Sequence, residues 1–243
     1  MKQRHLQRLT TKDIQQTVPD KINTILFPVG TVEAHGAAAL GTDNFIPESL
    51  ADYLADKINA LIAPTVNYGI TKSLYGHPGS ITVETDNYIG YMLDILKSFS
   101  DNKFAKVIIL NGHGGNDKAL GEIALRFHRK TLIKIAVINW WDICRDVTQE
   151  FFGEHGGHGA NDEASMVQAV DESLVNKALY DDDMPYFYQY GAKIYPIPGS
   201  ILLYKKNEGI PEYDAEKAKR YQAEVFAKME QFVKLILNRW EKI

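Results

Sequence analysis

The chain has 243 residues, 45% of them hydrophobic, enough for one large core or at most two small ones. A net charge of −4 from 27 basic and 31 acidic residues, with no long like-charge run, excludes the basic face of a nucleic-acid-binding protein. The single cysteine, Cys144, excludes internal disulfides and thiolate-rich zinc sites.

Residues 1–8 lack the apolar core of a signal peptide, and no run approaches the roughly 20 apolar residues that span a bilayer, so a cytoplasmic protein without membrane contact is expected. Residues 23–27, with the apolar run Thr24-Ile25-Leu26-Phe27, predict a buried strand. Residues 47 to about 60 predict a helix with Pro47 in its first turn, and residues 61–66 a short strand broken by Pro64. An amphipathic helix follows at 87–100, a buried strand at 105–110, a helix at 117–129 and an apolar strand at 132–139. Cys144 lies in the hydrophobic stretch that follows that strand and reads as a buried, inert thiol, and Trp140 and Trp141 as core or interface aromatics, one of which could line the pocket. Further helices are expected from Asp162 to about Tyr180 and over 214–240, with an irregular Tyr-, Pro- and Gly-rich region at 181–211. That region is a candidate to cover a site or to contact another subunit. Alternating strands and helices predict α/β architecture: a mostly parallel sheet covered on both faces, in one domain over 1–243.

In open α/β sheets, ligands bind beyond the carboxyl ends of the strands. Two notable segments fall at such ends. The first is Gly30-Thr31-Val32-Glu33-Ala34-His35, followed after a small-residue loop by Thr42-Asp43. In extended backbone Glu33 and His35 point to the same side, and Asp43 can return to them across the loop. The second is Asn111-Gly112-His113-Gly114-Gly115-Asn116. It lacks the Lys-Ser or Lys-Thr of a phosphate loop and does not complete a dinucleotide-binding glycine pattern. Together Glu33, His35, Asp43 and His113 offer two imidazoles and two carboxylates, a set suited to zinc, manganese or iron(II). A shared Asp43 would allow two divalent metal ions per chain, with a bridging hydroxide as nucleophile at neutral pH.

A third cluster runs from Gly153 to Ser165. His158 is a candidate to pass a proton to a departing nitrogen. Asn161 is a candidate helix cap, and Glu163 is either an acid of the first helical turn or a metal ligand. His155 matches no specific role and reads as loop structure.

At these residues the chain resembles the creatininase (creatinine amidohydrolase) family. The likeness rests on Pro28-x-Gly30-x-x-Glu33-x-His35-Gly36, Thr42-Asp43 and the Asn111–Asn116 motif, and more weakly on His158 to Ser165. The resemblance implies a three-layer α/β/α sandwich, a two-metal centre and hydrolysis of a C–N bond in a small nitrogen-rich molecule. It also implies a homo-oligomer, commonly a hexamer. Carried over by position, Glu33, His35, Asp43 and His113 are metal ligands, with zinc the leading metal. His158 takes the acid–base position, and Glu163 completes the second metal's shell. The departures lie around the substrate. Creatininase has a glutamate where this chain has Gly115, the usual Glu of the His-Ala-Gly-Glu pattern is Asn161, and Thr71-Lys72-Ser73-Leu74 lacks a substrate-side histidine, for which His77 is a possible substitute. Creatinine itself is therefore not the expected substrate. The competing expectation is a catalytically silent, metal-stabilised binding or scaffold protein of the same fold.

Overall fold

The computed structural model describes residues 3–243; Met1 and Lys2, part of the stretch read above for a leader, lie outside it. In chain order the elements are α1 (Thr11–Gln15), β1 (Thr24–Val29), α2 (Thr42–Lys57), β2 (Leu61–Ile62), α3 (Thr85–Asp101), β3 (Lys106–Asn111), α4 (Asp117–Thr131), β4 (Lys134–Asn139), α5 (Trp140–Ile143), α6 (Arg145–Phe152), α7 (Asn161–Val170), β5 (Pro185–Phe187), β6 (Ile201–Leu203) and α8 (Ala215–Trp240). The main sheet has the order β2-β1-β3-β4, and all its pairings are parallel.

Side-chain alternation along the two central strands builds the layers. Ile25, Phe27, Val29, Val107 and Ile109 meet Met92, Leu96, Leu120 and Ile123 of α3 and α4 on one face. Leu26, Ile108 and Leu110 meet Ile46, Leu50 and Leu54 of α2 and Tyr221, Val225 and Met229 of α8 on the other. The result is a three-layer α/β/α sandwich, as expected. Cys144 is fully buried in the second core, where burial pushes its thiol up to about 12, and Trp140 is buried beside it. Among the described residues, no helix is long and apolar enough to cross a membrane.

Several boundaries differ from those read in the sequence, and β2, read over 61–66, ends at Ile62. Helix α2 begins at Thr42, so Pro47 lies inside it and Asp43 occupies its first turn, where a carboxylate complements the helix dipole. Pro47 has no N–H for the Asp43 carbonyl, whose oxygen instead fills the space beside Gly30 and Gly112 at the ends of β1 and β3. Helix α7 stops at Val170 rather than near Tyr180. Asp171 is extended and its carboxylate accepts the Ser173 N–H, diverting the chain into two short 3-10 turns. Its cap is Ala160, not Asn161, whose amide donates to Glu154 and whose oxygen accepts the Glu212 N–H. Region 181–211 is also less irregular than expected, because β5 and β6 pair in parallel and Ile201 and Leu203 are buried.

Candidate metal centre

The carboxyl ends of β1 and β3 are paired in register, Val29 opposite Asn111, so the segments that follow them converge. Glu33, His35, Asp43 and His113 meet there, all buried. His35 Nε2 lies 2.9 Å from Asp43 Oδ1 and 3.5 Å from Glu163 Oε2. His113 Nδ1 lies 2.8 Å from Asp43 Oδ2 and 3.2 Å from Glu33 Oε1. His158 Nδ1 approaches Glu33 Oε1 at 3.3 Å, and its ring sits 4.2 Å from that of His35. Glu163 thus belongs to the cluster, its Oε2 also accepting the Gly159 N–H at 2.6 Å. All six residues singled out in the sequence come together.

Each imidazole is held through its far nitrogen by a main-chain carbonyl. His35 Nδ1 contacts the Glu33 oxygen at 3.0 Å, His113 Nε2 the Ile70 oxygen at 3.0 Å, and His158 Nε2 the Ala34 oxygen at 2.7 Å. Those nitrogens donate, which leaves the inward nitrogens of the neutral rings as lone pairs facing carboxylates. That arrangement needs a positive charge between donor atoms. Burial opposes charge on His35 and His113, yet the surrounding carboxylates drive both imidazoles well above their ordinary range. Burial likewise opposes ionisation of Asp43 and Glu33, and the facing histidines nonetheless hold both carboxyls below theirs. Among the described residues, Glu33 Oε2, His35 Nε2 and both Asp43 carboxylate oxygens are buried without a hydrogen-bond partner. Unsatisfied buried groups are costly, and a divalent cation would satisfy these. Within each of two triads, Glu33–Asp43–His113 and His35–Asp43–Glu163, the ligand atoms lie within 4.8 Å of one another, and Asp43 belongs to both. Glu33, His35 and His158 form a third, overlapping group. The donor set fits transition-metal ions.

The asparagines of the second motif do structural work that its sequence did not disclose. Asn111 Oδ1 accepts the His113 N–H, while Asn116 accepts the Ile70 N–H and donates to the Gly30 carbonyl. Gly115 is closed to a side chain, since a Cβ there would overlap the Ile70 carbonyl and the His113 ring. A larger side chain at this position has no room without movement of that loop. His77 Nε2 lies 2.7 Å from the Ile197 carbonyl, and His77 is not among the residues that line the cavity described next.

A cavity of about 600 Å³ opens onto Glu33, His113, His158 and Glu163. Trp141, Tyr190 and Tyr204 form part of its wall, together with Arg145, His155 and Lys205. His155, read as loop structure, thus stands at the site. Asp162, also unforeseen, accepts the Gly157 N–H and lines the cavity; burial and the neighbouring Glu163 push its carboxyl up to about 8.

A family model described as creatinine amidohydrolase matches residues 7–232. The creatinine amidohydrolase of Pseudomonas putida is 28% identical over 196 residues, covering 73% of this chain and 75% of the relative. The 3-dehydro-scyllo-inosose hydrolase of Thermotoga maritima is 30% identical over 147 residues, 58% of this chain and 46% of the relative. A crystal structure of creatininase superposes with a TM-score of 0.84 at 20% identity, covering 96% of this chain and 97% of that one, a likeness of fold. Fold matches also include Zn–Zn and Mn forms of creatininase.

Proposed function

The chain belongs to the creatininase family, and from that premise we propose that it is a metal-dependent amidohydrolase cleaving a C–N bond in a cyclic amide, formamide or amide. The class, a hydrolase of C–N bonds, comes with family membership; the substrate, the metals and the residue roles are our reading.

Glu33, Asp43 and His113 would hold one divalent ion and His35, Asp43 and Glu163 the other, with Asp43 common to both. Zinc fits this imidazole–carboxylate set best, with manganese or iron(II) as alternatives. When bound, such a pair supplies Lewis acidity that lowers the pKa of water to ~7 and polarises a carbonyl oxygen.

The side chains divide the remaining work. His158 is the acid–base group, because its side chain is 16% exposed to the cavity whereas His35 is at 0% and His113 at 7%. The Ala34 carbonyl fixes its Nε2–H, so the proton destined for the departing nitrogen is carried on Nδ1. Glu33 Oε1 lies 3.3 Å from that atom. The assembly that goes with this reading is a single-domain chain in a cytoplasmic homo-oligomer, six copies by family likeness.

The four buried, unpartnered donor atoms carry the proposal. Its test is metal content by plasma mass spectrometry, after purification without chelators or a metal-affinity tag. About two transition-metal ions per wild-type chain, falling sharply in Asp43→Ala, are expected. A folded wild type that stays metal-free after incubation with zinc, manganese or iron(II) would overturn it and favour a silent scaffold.

A further inference from the structure

The cavity above the metal centre is asymmetric in charge. Its floor carries the carboxylates of Glu33 and Glu163, which the proposed metals would engage. The outer wall holds two permanent cations, Arg145 and Lys205, against one acid, Asp142, besides Asp162, which accepts the Gly157 N–H. Asp142 is committed to the arginine: Arg145 Nη2 donates to Asp142 Oδ1 at 2.7 Å. One contact of this kind fixes the guanidinium and leaves most of its five N–H donors free. The Arg145 side chain is 61% exposed, so those donors are open to a ligand. Lys205 makes only longer contacts, 3.2 and 3.3 Å, to Glu208. Trp141, Tyr190 and Tyr204 contribute apolar surface to the same cavity.

We propose that Arg145, braced by Asp142 and supported by Lys205, recognises a carboxylate on the substrate, so that the natural substrate is an anionic amide of the acylated-amino-acid or lactam-carboxylate class. The inference rests on the amidohydrolase reading and narrows its substrate. A planar carboxylate matches the guanidinium fork in two parallel hydrogen bonds, and the aromatic surface accommodates the body between that group and the scissile bond. A neutral ring such as creatinine leaves the fork unused, consistent with the altered substrate-facing loops at Gly115 and Ser73.

Glutarate and pentanoate, neither of which carries a scissile amide, test this without turnover. Each offers one carboxylate to the metal centre, but only glutarate offers a second to the outer wall. By calorimetry with the zinc-loaded protein, glutarate binds wild type about tenfold tighter than pentanoate. Arg145→Met abolishes that preference by weakening glutarate, and Lys205→Met reduces it in part. Equal affinities in wild type, or a preference that survives Arg145→Met, would overturn the proposal. A chain that takes up no metal sinks the amidohydrolase reading and this inference with it; a loaded chain indifferent to the second carboxylate sinks this inference alone.

Discussion

Asp43 and Gly112 meet main chain against main chain: the Asp43 carbonyl oxygen occupies the space that a Cβ on residue 112 would need, and Gly30 closes on the same oxygen from the neighbouring strand. The carboxylate shared by both triads is therefore positioned by its own peptide, clasped between two strand ends. Gly112→Ala forces that peptide aside. It is expected to cost about 1–3 kcal/mol and to lower bound metal, checked by chemical denaturation and metal analysis of the same sample. An alanine variant with full metal content and unchanged stability would show that the clasp is dispensable.

The two triads predict separable losses. His113→Ala and His35→Ala each remove a donor from one triad only, so each is expected to retain about one ion per chain where Asp43→Ala retains neither. Equilibrium dialysis against zinc resolves the three cases. Loss of both ions in either histidine variant would mean that the donors act as one site.

His158→Ala separates catalysis from architecture. Its ring is the most exposed of the three and belongs to neither of the two triads built on Asp43. Turnover on a responsive substrate is expected to fall about 10²–10⁴-fold, with metal content and melting temperature kept. A concurrent loss of metal would make it a ligand, as its place in the third overlapping group allows.

Proton linkage gives the metal-free protein a distinctive pH profile. His35 and His113 bind protons more tightly folded than unfolded, so their contribution is fully present below the ordinary imidazole value of 6.5 and is lost as pH rises through the raised values. Asp43 and Glu33 act oppositely: their contribution is present above the ordinary 3.8 and 4.5 and is lost as pH falls through the lowered values. The raised Asp162 carboxyl, at about 8, likewise favours the protonated folded form, so the chelator-treated protein should weaken as pH rises above about 6.5 and lose the carboxylate contribution below about 4.5. Added zinc should reverse the upper limb, because metal replaces those protons and competes best when they are gone. Thermal melts across pH, with and without zinc, check both limbs; a metal-free protein that gains stability steadily from pH 6 to 9 contradicts the prediction.

Removing the Asn116 side chain leaves the Ile70 N–H and the Gly30 carbonyl without their partner in a buried place. Asn116→Ala is expected to cost about 1–3 kcal/mol and to weaken metal binding through the Ile70 carbonyl that orients His113. Denaturant unfolding measures the first effect and zinc competition the second.

The residues of the candidate metal centre were legible in the sequence because such a centre demands particular side chains at particular places. Glu33, His35 and His113 follow apolar strands, and Asp43 follows a loop short enough to return. The orientation of Glu163 was not legible, since an acid in the first turn of a helix serves the dipole equally well and only the fold sets His35 opposite it. The scaffolding by Asn111 and Asn116 was hidden for a similar reason: their partners, Ile70 and Gly30, are distant in sequence. Pro47 misled because a proline normally marks a first turn, whereas here the carbonyl it leaves without a helical donor is the one the two glycines surround. The layers were readable from alternation and amphipathic spacing, but the length of α7 was not, because a local Asp171 turn outcompeted helical periodicity.

The rings of His35, His113 and His158 are steered by the carbonyls of Glu33, Ile70 and Ala34, atoms that every amino acid possesses. No single side-chain replacement at those three positions deletes the oxygen that steers the imidazole. Much of the cavity wall, by contrast, is drawn from side chains around 141–145, 190 and 202–205. On the proposed function, a library confined to those wall positions would vary what the cavity admits while the main-chain atoms that steer the three imidazoles stay in place.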